Sequence, residues 1–129
     1  MSSVQGPPGK PQEPLLPSES MDDARCVCPE CQQRFTRSHP LQIFCTPRHR
    51  DRWNNRAAVR GRVLTPLQMV ARITRNGTRG SAADREAGKL ASSQLNYLIN
   101  RYRDEDAQAQ RMAWPAYMAL RYATGFDPL

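Results

Sequence analysis

Cys28-Pro29-Glu30-Cys31 and, after thirteen intervening residues, Cys45-Thr46-Pro47-Arg48-His49 are the stretch on which the fold of this chain turns. The spacing C-x2-C-x13-C-x3-H offers three thiolates and one imidazole to a single cation. Zinc(II) prefers sulfur and nitrogen donors, takes four of them tetrahedrally at about 2.0 to 2.3 Å, and in a structural site is then closed to water. The spacing therefore predicts a structural zinc site made of Cys28, Cys31, Cys45 and His49. Cys28 to Cys31 can turn as a tight knuckle with both sulfurs facing one point. Thr46 reads as an N-cap and Pro47 as the first helical residue, where a missing N–H is harmless, so His49 falls in the first turn of a helix.

A knuckle, a short hairpin and a helix bringing the last two ligands describe a treble-clef finger, with Phe35 and Phe44 as its small apolar filling. Two further residues compete for the metal. Cys26 is separated from Cys28 by a single residue, so the two are poorly placed to chelate one ion together; Cys26 is a bystander or a substitute for Cys28. His39, in Ser38-His39-Pro40 at the expected hairpin tip, is the alternative to His49. Disulfides are the other use for four cysteines, but the opening MSSVQGPPGK has no apolar segment of the kind that directs export, which favours metal over disulfide and a cytoplasmic setting.

The run Phe44-Cys45-Thr46-Pro47-Arg48-His49-Arg50, with Trp53 after it and Cys28-Pro29-x-Cys31 before it, resembles the FCS-type, MYM-like treble-clef fingers of phage, prophage and transposon-associated proteins. The family pattern is C-P-x-C, an aromatic, then F-C-S-x-x-C-R. Cys28, Pro29, Cys31, Phe35, Phe44, Cys45 and Arg50 sit at matching positions, Thr46 replaces the serine and His49 the last cysteine. The resemblance covers residues 26 to about 61 and implies zinc binding and a fold more than any one activity.

Charge is distributed unevenly. Residues 25–80 hold twelve arginines and no lysine against Glu30 and Asp51, a formal +10. Residues 1–24 hold Lys10 against four acids, and residues 81–129 hold six basic and six acidic groups, giving +7 for the 129-residue chain. Arginine throughout suits bidentate contact with phosphate or with guanine edges. The first 24 residues contain five prolines and few large apolar groups, and they read as a disordered arm. No run approaches the roughly 18 apolar residues of a membrane span.

The finger's helix is expected from Pro47 to Arg60, with Gly61 as a left-handed C-cap. Arg48, Arg52, Arg56 and Arg60 then recur every fourth residue as one basic stripe, and with Arg50 and Arg62 they are the candidate nucleic-acid contacts. Thr65-Pro66 opens a second helix that Asn76-Gly77 ends. Ser81, with Asp84 three residues on, caps a third helix reaching about Arg103, whose apolar face holds Ala87, Leu90, Ala91, Leu95, Leu98, Ile99 and Tyr102. Asp104-Glu105-Asp106 reads as its end. Trp114-Pro115 opens a last short helix carrying Tyr117, Met118, Leu120 and Tyr122.

The expected organisation is an arm over residues 1–24, a zinc finger over 25–62, and an all-α region over 63–129. A P-loop, GxSxG, HExxH and paired catalytic carboxylates are all missing from the sequence, and a four-ligand zinc leaves no open position for substrate water, so the reading is of a binding protein rather than an enzyme. Nucleic acid, DNA above all, is the expected partner. The alternative is a protein adaptor or inhibitor that docks through the C-terminal helices, with the zinc purely structural.

Overall fold

A computed structural model describes residues 25–125; the expected arm over residues 1–24 and the last four residues lie outside the described part. Two short strands, β1 (Arg25–Val27) and β2 (Arg34–Thr36), pair antiparallel with Cys26 opposite Phe35. Between them the Cys28 knuckle closes on itself. Gln32 N–H donates to the Cys28 carbonyl at 2.7 Å and Cys28 N–H to the Gln33 carbonyl at 3.0 Å. Three helices follow, α1 (Pro47–Ile73), α2 (Ala82–Gln108) and α3 (Trp114–Ala123).

The start of α1 is as the sequence implies. Thr46 is extended, its hydroxyl accepts from His49 N–H, and Pro47 opens the helix. Its end is not. The helix does not stop at Gly61 and does not restart at Thr65-Pro66; it runs through both for 27 residues, about 40 Å. Local preference argues for a break, since an interior glycine costs about 1 kcal/mol and Pro66 leaves the Arg62 carbonyl without its intrahelical donor. Packing along α2 overrides it. Arg60, Leu64, Leu67, Ala71 and Thr74 form one continuous inward row, which stays in register with α2 only if the helix is unbroken. The expected boundary between residues 62 and 63 thus falls inside α1.

The hairpin between α1 and α2 follows its turn chemistry. Arg75, Asn76 and Gly77 take positive φ angles of 49°, 58° and 90°, and the Thr74 hydroxyl donates to the Val70 carbonyl and accepts from Gly77 N–H. Gly88 of α2 packs directly against this corner. A Cβ there would overlap Thr74 Oγ1 and come within 2.8 Å of Gly77 N, so the close approach requires glycine. Ser81 and Asp84 form the expected reciprocal capping box. The helix then continues past Arg103 to Gln108, taking Asp104, Glu105 and Asp106 inside it. Its inward row is Gly88, Ala91, Leu95, Leu98, Tyr102 and Asp106; Ala87, Leu90 and Ile99, expected on the same face, are exposed.

The main core lies at the end that carries the hairpin and the knuckle. Cys28, Phe44, Trp53, Met112 and Tyr117 are buried together, with Val27, Phe35, Ile43, Met118 and Leu120 packed around them. Trp53 is its centre, with ring centroids 4.8 Å from Tyr117, 4.9 Å from Trp114 and 6.2 Å from Phe44. Met112 N–H donates to the Pro29 carbonyl at 2.9 Å, fastening the segment before α3 to the knuckle. The hairpin region and the last helix therefore share one core, because the hairpin and the first turns of α1 offer too little apolar surface to bury Trp53 alone.

Candidate metal centre

Three pieces of backbone deliver the four donors. The knuckle holds Cys28 and Cys31, the residue before the α1 N-cap is Cys45, and His49 sits one turn into α1, so the cap that starts the helix also sets the spacing between the last two donors. One ligand atom from each of Cys28, Cys31, Cys45 and His49 lies within 4.8 Å of all the others. The Cys31 and Cys45 sulfurs are 3.8 Å apart, Cys28 Sγ is 3.9 Å from His49 Nδ1, and Cys45 Sγ is 3.2 Å from the same nitrogen. A tetrahedral zinc has S–S edges of about 3.8 Å and S–N edges of about 3.5 Å, from bonds of about 2.3 and 2.0 Å. The donor geometry fits such an ion. It does not fit a disulfide, whose sulfurs sit at about 2.05 Å, and all four cysteines are free.

Electrostatics point the same way. Burial opposes the Cys28 thiolate, but the backbone N–H groups of Cys45, Cys31 and Glu30 outweigh it and hold the thiol below its ordinary pKa. Cys45 goes in the opposite direction, pushed up to about 11 by burial and then by its sulfur neighbours Cys28 and Cys31. The site thus favours a negative sulfur at Cys28 and resists one at Cys45. A bound dication would supply the missing charge.

Neither competitor joins the cluster. Cys26 is buried on β1, with Arg37 Nη2 3.6 Å from its sulfur, and His39 is exposed and accepts from Leu41 N–H through Nδ1. Around the donors, Glu30 of the knuckle accepts two hydrogen bonds from Arg56, at 2.9 and 2.7 Å. This bidentate pair locks the knuckle to α1 two turns beyond His49 and fixes the angle at which the two halves of the site meet.

The same pair corrects the arginine stripe. Arg56 is half-buried on Glu30, and Arg60 is 8% exposed and bound to Asp106 and Glu105, so neither faces a partner. Arg48, Arg50, Arg52 and Arg62 are exposed, Arg50 pairing with its neighbour Asp51. An every-fourth-residue row is not straight: each step rotates about 40° around an α-helix, so Arg48 and Arg60 stand about 120° apart. The row starts in solvent and winds into the protein.

Asp106 is the residue whose role the sequence reading missed. It is 4% exposed and accepts from Arg60 Nη1 at 2.9 Å, Arg111 Nη1 at 2.8 Å and Trp114 Nε1 at 2.9 Å. Burial disfavours its charge, yet the hydrogen bonds from Arg60, Trp114 and Arg111 prevail and hold its carboxyl below the usual range. The signal was present: Asp106 continues the row Leu95, Leu98, Tyr102, and an acid on an apolar row requires a buried partner.

No family model, no curated protein and no solved structure was found to match the chain. Among the described residues, no helix is long and apolar enough to cross a membrane.

Proposed function

We propose that Cys28, Cys31, Cys45 and His49 hold a structural zinc ion in a treble-clef finger, and that the protein binds nucleic acid through the exposed arginines at the start of α1. The convergence of three sulfurs and one imidazole at tetrahedral spacing is the observation that carries the metal. With four protein donors the ion has no open position, so its task is to hold the knuckle against α1 rather than to activate water. Thiolate and imidazole donors select zinc over harder cations.

The nucleic-acid reading rests on charge and position. Arg48 and Arg52 stand about 40° apart on the first turns of α1, Arg50 flanks them, and Asp51 is the one acid among the 27 residues of that helix. Arg34 on β2 is exposed as well. Such a one-signed cluster attracts polyanions and contacts phosphates without reading bases. Arg62, exposed farther along α1, lies apart from this group.

Titration of duplex DNA with the zinc-loaded protein over a range of salt tests the reading. Three phosphate contacts give a log–log slope of about −2.7. Arg48→Ala with Arg52→Ala should flatten it by about two contacts' worth while leaving the zinc content unchanged. Undetectable binding at low salt refutes the function but not the metal site. A role as a regulator or accessory factor of a phage or mobile element follows from the resemblance of the Cys28-to-Arg50 motif alone.

A further inference from the structure

A hollow of about 490 Å³, within the size range of small-molecule sites, opens beside the first turns of α1. Thr46, Pro47, Arg50 and Asn54 line one side of it and the loop from Ser38 to Ile43 the other, with the buried rings of Phe44 and Tyr117 beneath. The loop is braced from within. Gln42 Oε1 accepts from the Ser38 N–H at 2.8 Å and from the Ser38 hydroxyl at 3.0 Å, while Gln42 Nε2 donates to the Phe44 carbonyl at 2.7 Å. Leu41 is 62% exposed and gives the hollow an apolar wall. The ionisable groups that line it are Arg50, Arg121 and His39, with no carboxylate beside them. Arg121 is held at the Tyr117 ring, its Nη1 donating to the Tyr117 hydroxyl. Asp51 reaches Arg50 Nε at 3.2 Å, but both side chains are more than half exposed, so the pair competes weakly with a phosphate. Two lining groups have no hydrogen-bond partner among the described residues. One is the exposed Asn54 amide, one turn after Arg50 on the same side of α1; the other is His39 Nε2, whose ring is oriented by Nδ1 accepting from Leu41 N–H.

We infer that the hollow takes the base of an unpaired nucleotide, so that the nucleic acid this protein prefers is single-stranded. The inference rests on the nucleic-acid reading above and names the form of the ligand. A duplex cannot enter a concave site, because its bases are stacked and paired inside it. A base splayed out of a single strand can, with its face on the apolar wall and its edge toward hydrogen-bonding side chains. Asn54 offers that edge both a donor and an acceptor, and His39, with Nδ1 accepting, offers a donor through Nε2. Arg50 stands at the rim for the phosphate that the base carries with it. Arg48 and Arg52 lie about 160° around α1 from Arg50, so they face away from the hollow across a helix about 10 to 12 Å wide. That width is about three nucleotides of one strand, which brings phosphates flanking the seated base to both arginines. Phosphate contact alone would choose the other way, since it favours the duplex with its denser charge.

Fluorescence anisotropy of the zinc-loaded full chain reads the outcome, with three labelled probes of equal length at one salt concentration: an oligothymidylate strand, its duplex with oligoadenylate, and an abasic strand. The oligothymidylate should bind about tenfold tighter than either of the others. Asn54→Leu and Leu41→Ser, both at exposed positions and neither changing charge, should each lower the single-strand affinity about threefold to tenfold. Duplex affinity and zinc content should stay as in the parent. A strand bound no better than its abasic counterpart, a preference for the duplex, or a single-strand affinity indifferent to both substitutions would each overturn the proposal and leave phosphate contact by Arg48 and Arg52 standing. Thymidine monophosphate bound as tightly as the strand would assign the hollow to a free nucleotide and overturn it too. Absence of binding to every probe at low salt would refute the nucleic-acid reading itself.

Discussion

Arg60 and Asp106, separated by 46 positions in sequence, form a 2.9 Å ion pair with almost no exposure to solvent, at the point where α1, the end of α2 and the start of α3 meet. Tyr102 covers the guanidinium, 4.6 Å from its ring centroid, and Arg111 and the Trp114 indole complete the hydrogen-bonding around the carboxylate. The pair links the helical hairpin to the aromatic core over the candidate metal site.

Breaking one side of it leaves the other charge buried alone. Asp106→Ala should therefore destabilise the fold by about 3 to 5 kcal/mol, more than Arg111→Ala, which removes one of three donors and itself keeps access to water. Urea unfolding of the zinc-loaded protein measures both.

The same carboxylate sets an acid limit. Its folded-state pKa lies below the unfolded value, so its contribution to stability is complete above about pH 4 and is lost as pH falls through the folded pKa. Acid unfolding of Asp106→Asn should lack that component. Comparing the pH dependence of unfolding between the variant and its parent below about pH 4 shows whether Asp106 carries it.

Metal removal should be felt across the whole molecule, because Cys28 belongs both to the proposed ligand set and to the Trp53 core. Zinc binding to small fingers contributes on the order of 10 kcal/mol of folding free energy. Cys28→Ser and Cys45→Ser should lose most of the bound zinc and the Trp53 fluorescence signature of a buried indole. Cys26→Ser should keep both. Binding must displace protons, as Cys45 without a cation holds its own up to about pH 11, so apparent zinc affinity should rise with pH. Inductively coupled plasma analysis and a competing chromophoric chelator give the two readouts.

Two helical glycines should respond in opposite directions to alanine. At Gly61 an added Cβ meets nothing within 4 Å, so Gly61→Ala should stabilise α1 by up to about 1 kcal/mol. At Gly88 the Cβ overlaps the Thr74 hydroxyl, so Gly88→Ala should force the helices apart and cost about 1 to 3 kcal/mol. Thermal melts of the two variants separate the cases.

Glu30→Gln and Arg56→Ala test whether the knuckle needs its clamp. The ion pair is largely buried, with side-chain exposures of 9% and 22%, so either change should loosen the site without removing a donor. Zinc affinity should fall by about 10-fold to 100-fold, with the stoichiometry unchanged.

Much of this was legible from the chain because the signals were local. Cys28, Cys31, Cys45 and His49 converge as their spacing implies, Thr46-Pro47 starts α1, Asn76-Gly77 ends the first arm of the hairpin, and Ser81 with Asp84 caps the second. Each depends on residues a few positions apart, whose geometry is set by backbone sterics and metal chemistry. Gly61 and Thr65-Pro66 were misleading for the complementary reason: their local preference for a break is worth a few kcal/mol at most, and packing of α1 on α2 exceeds it.

Sequence alone, then, determined the clustering of the four candidate donors, the helix starts and the concentration of arginine between residues 25 and 80. Only the tertiary structure decided which arginines remain available. Arg56 turns inward to Glu30 and Arg60 to Asp106 because an every-fourth-residue row winds around its helix, and the acids that receive them come from segments 26 and 46 positions away. Such partnerships arise from how the helices pack, and pattern along a single helix does not encode them.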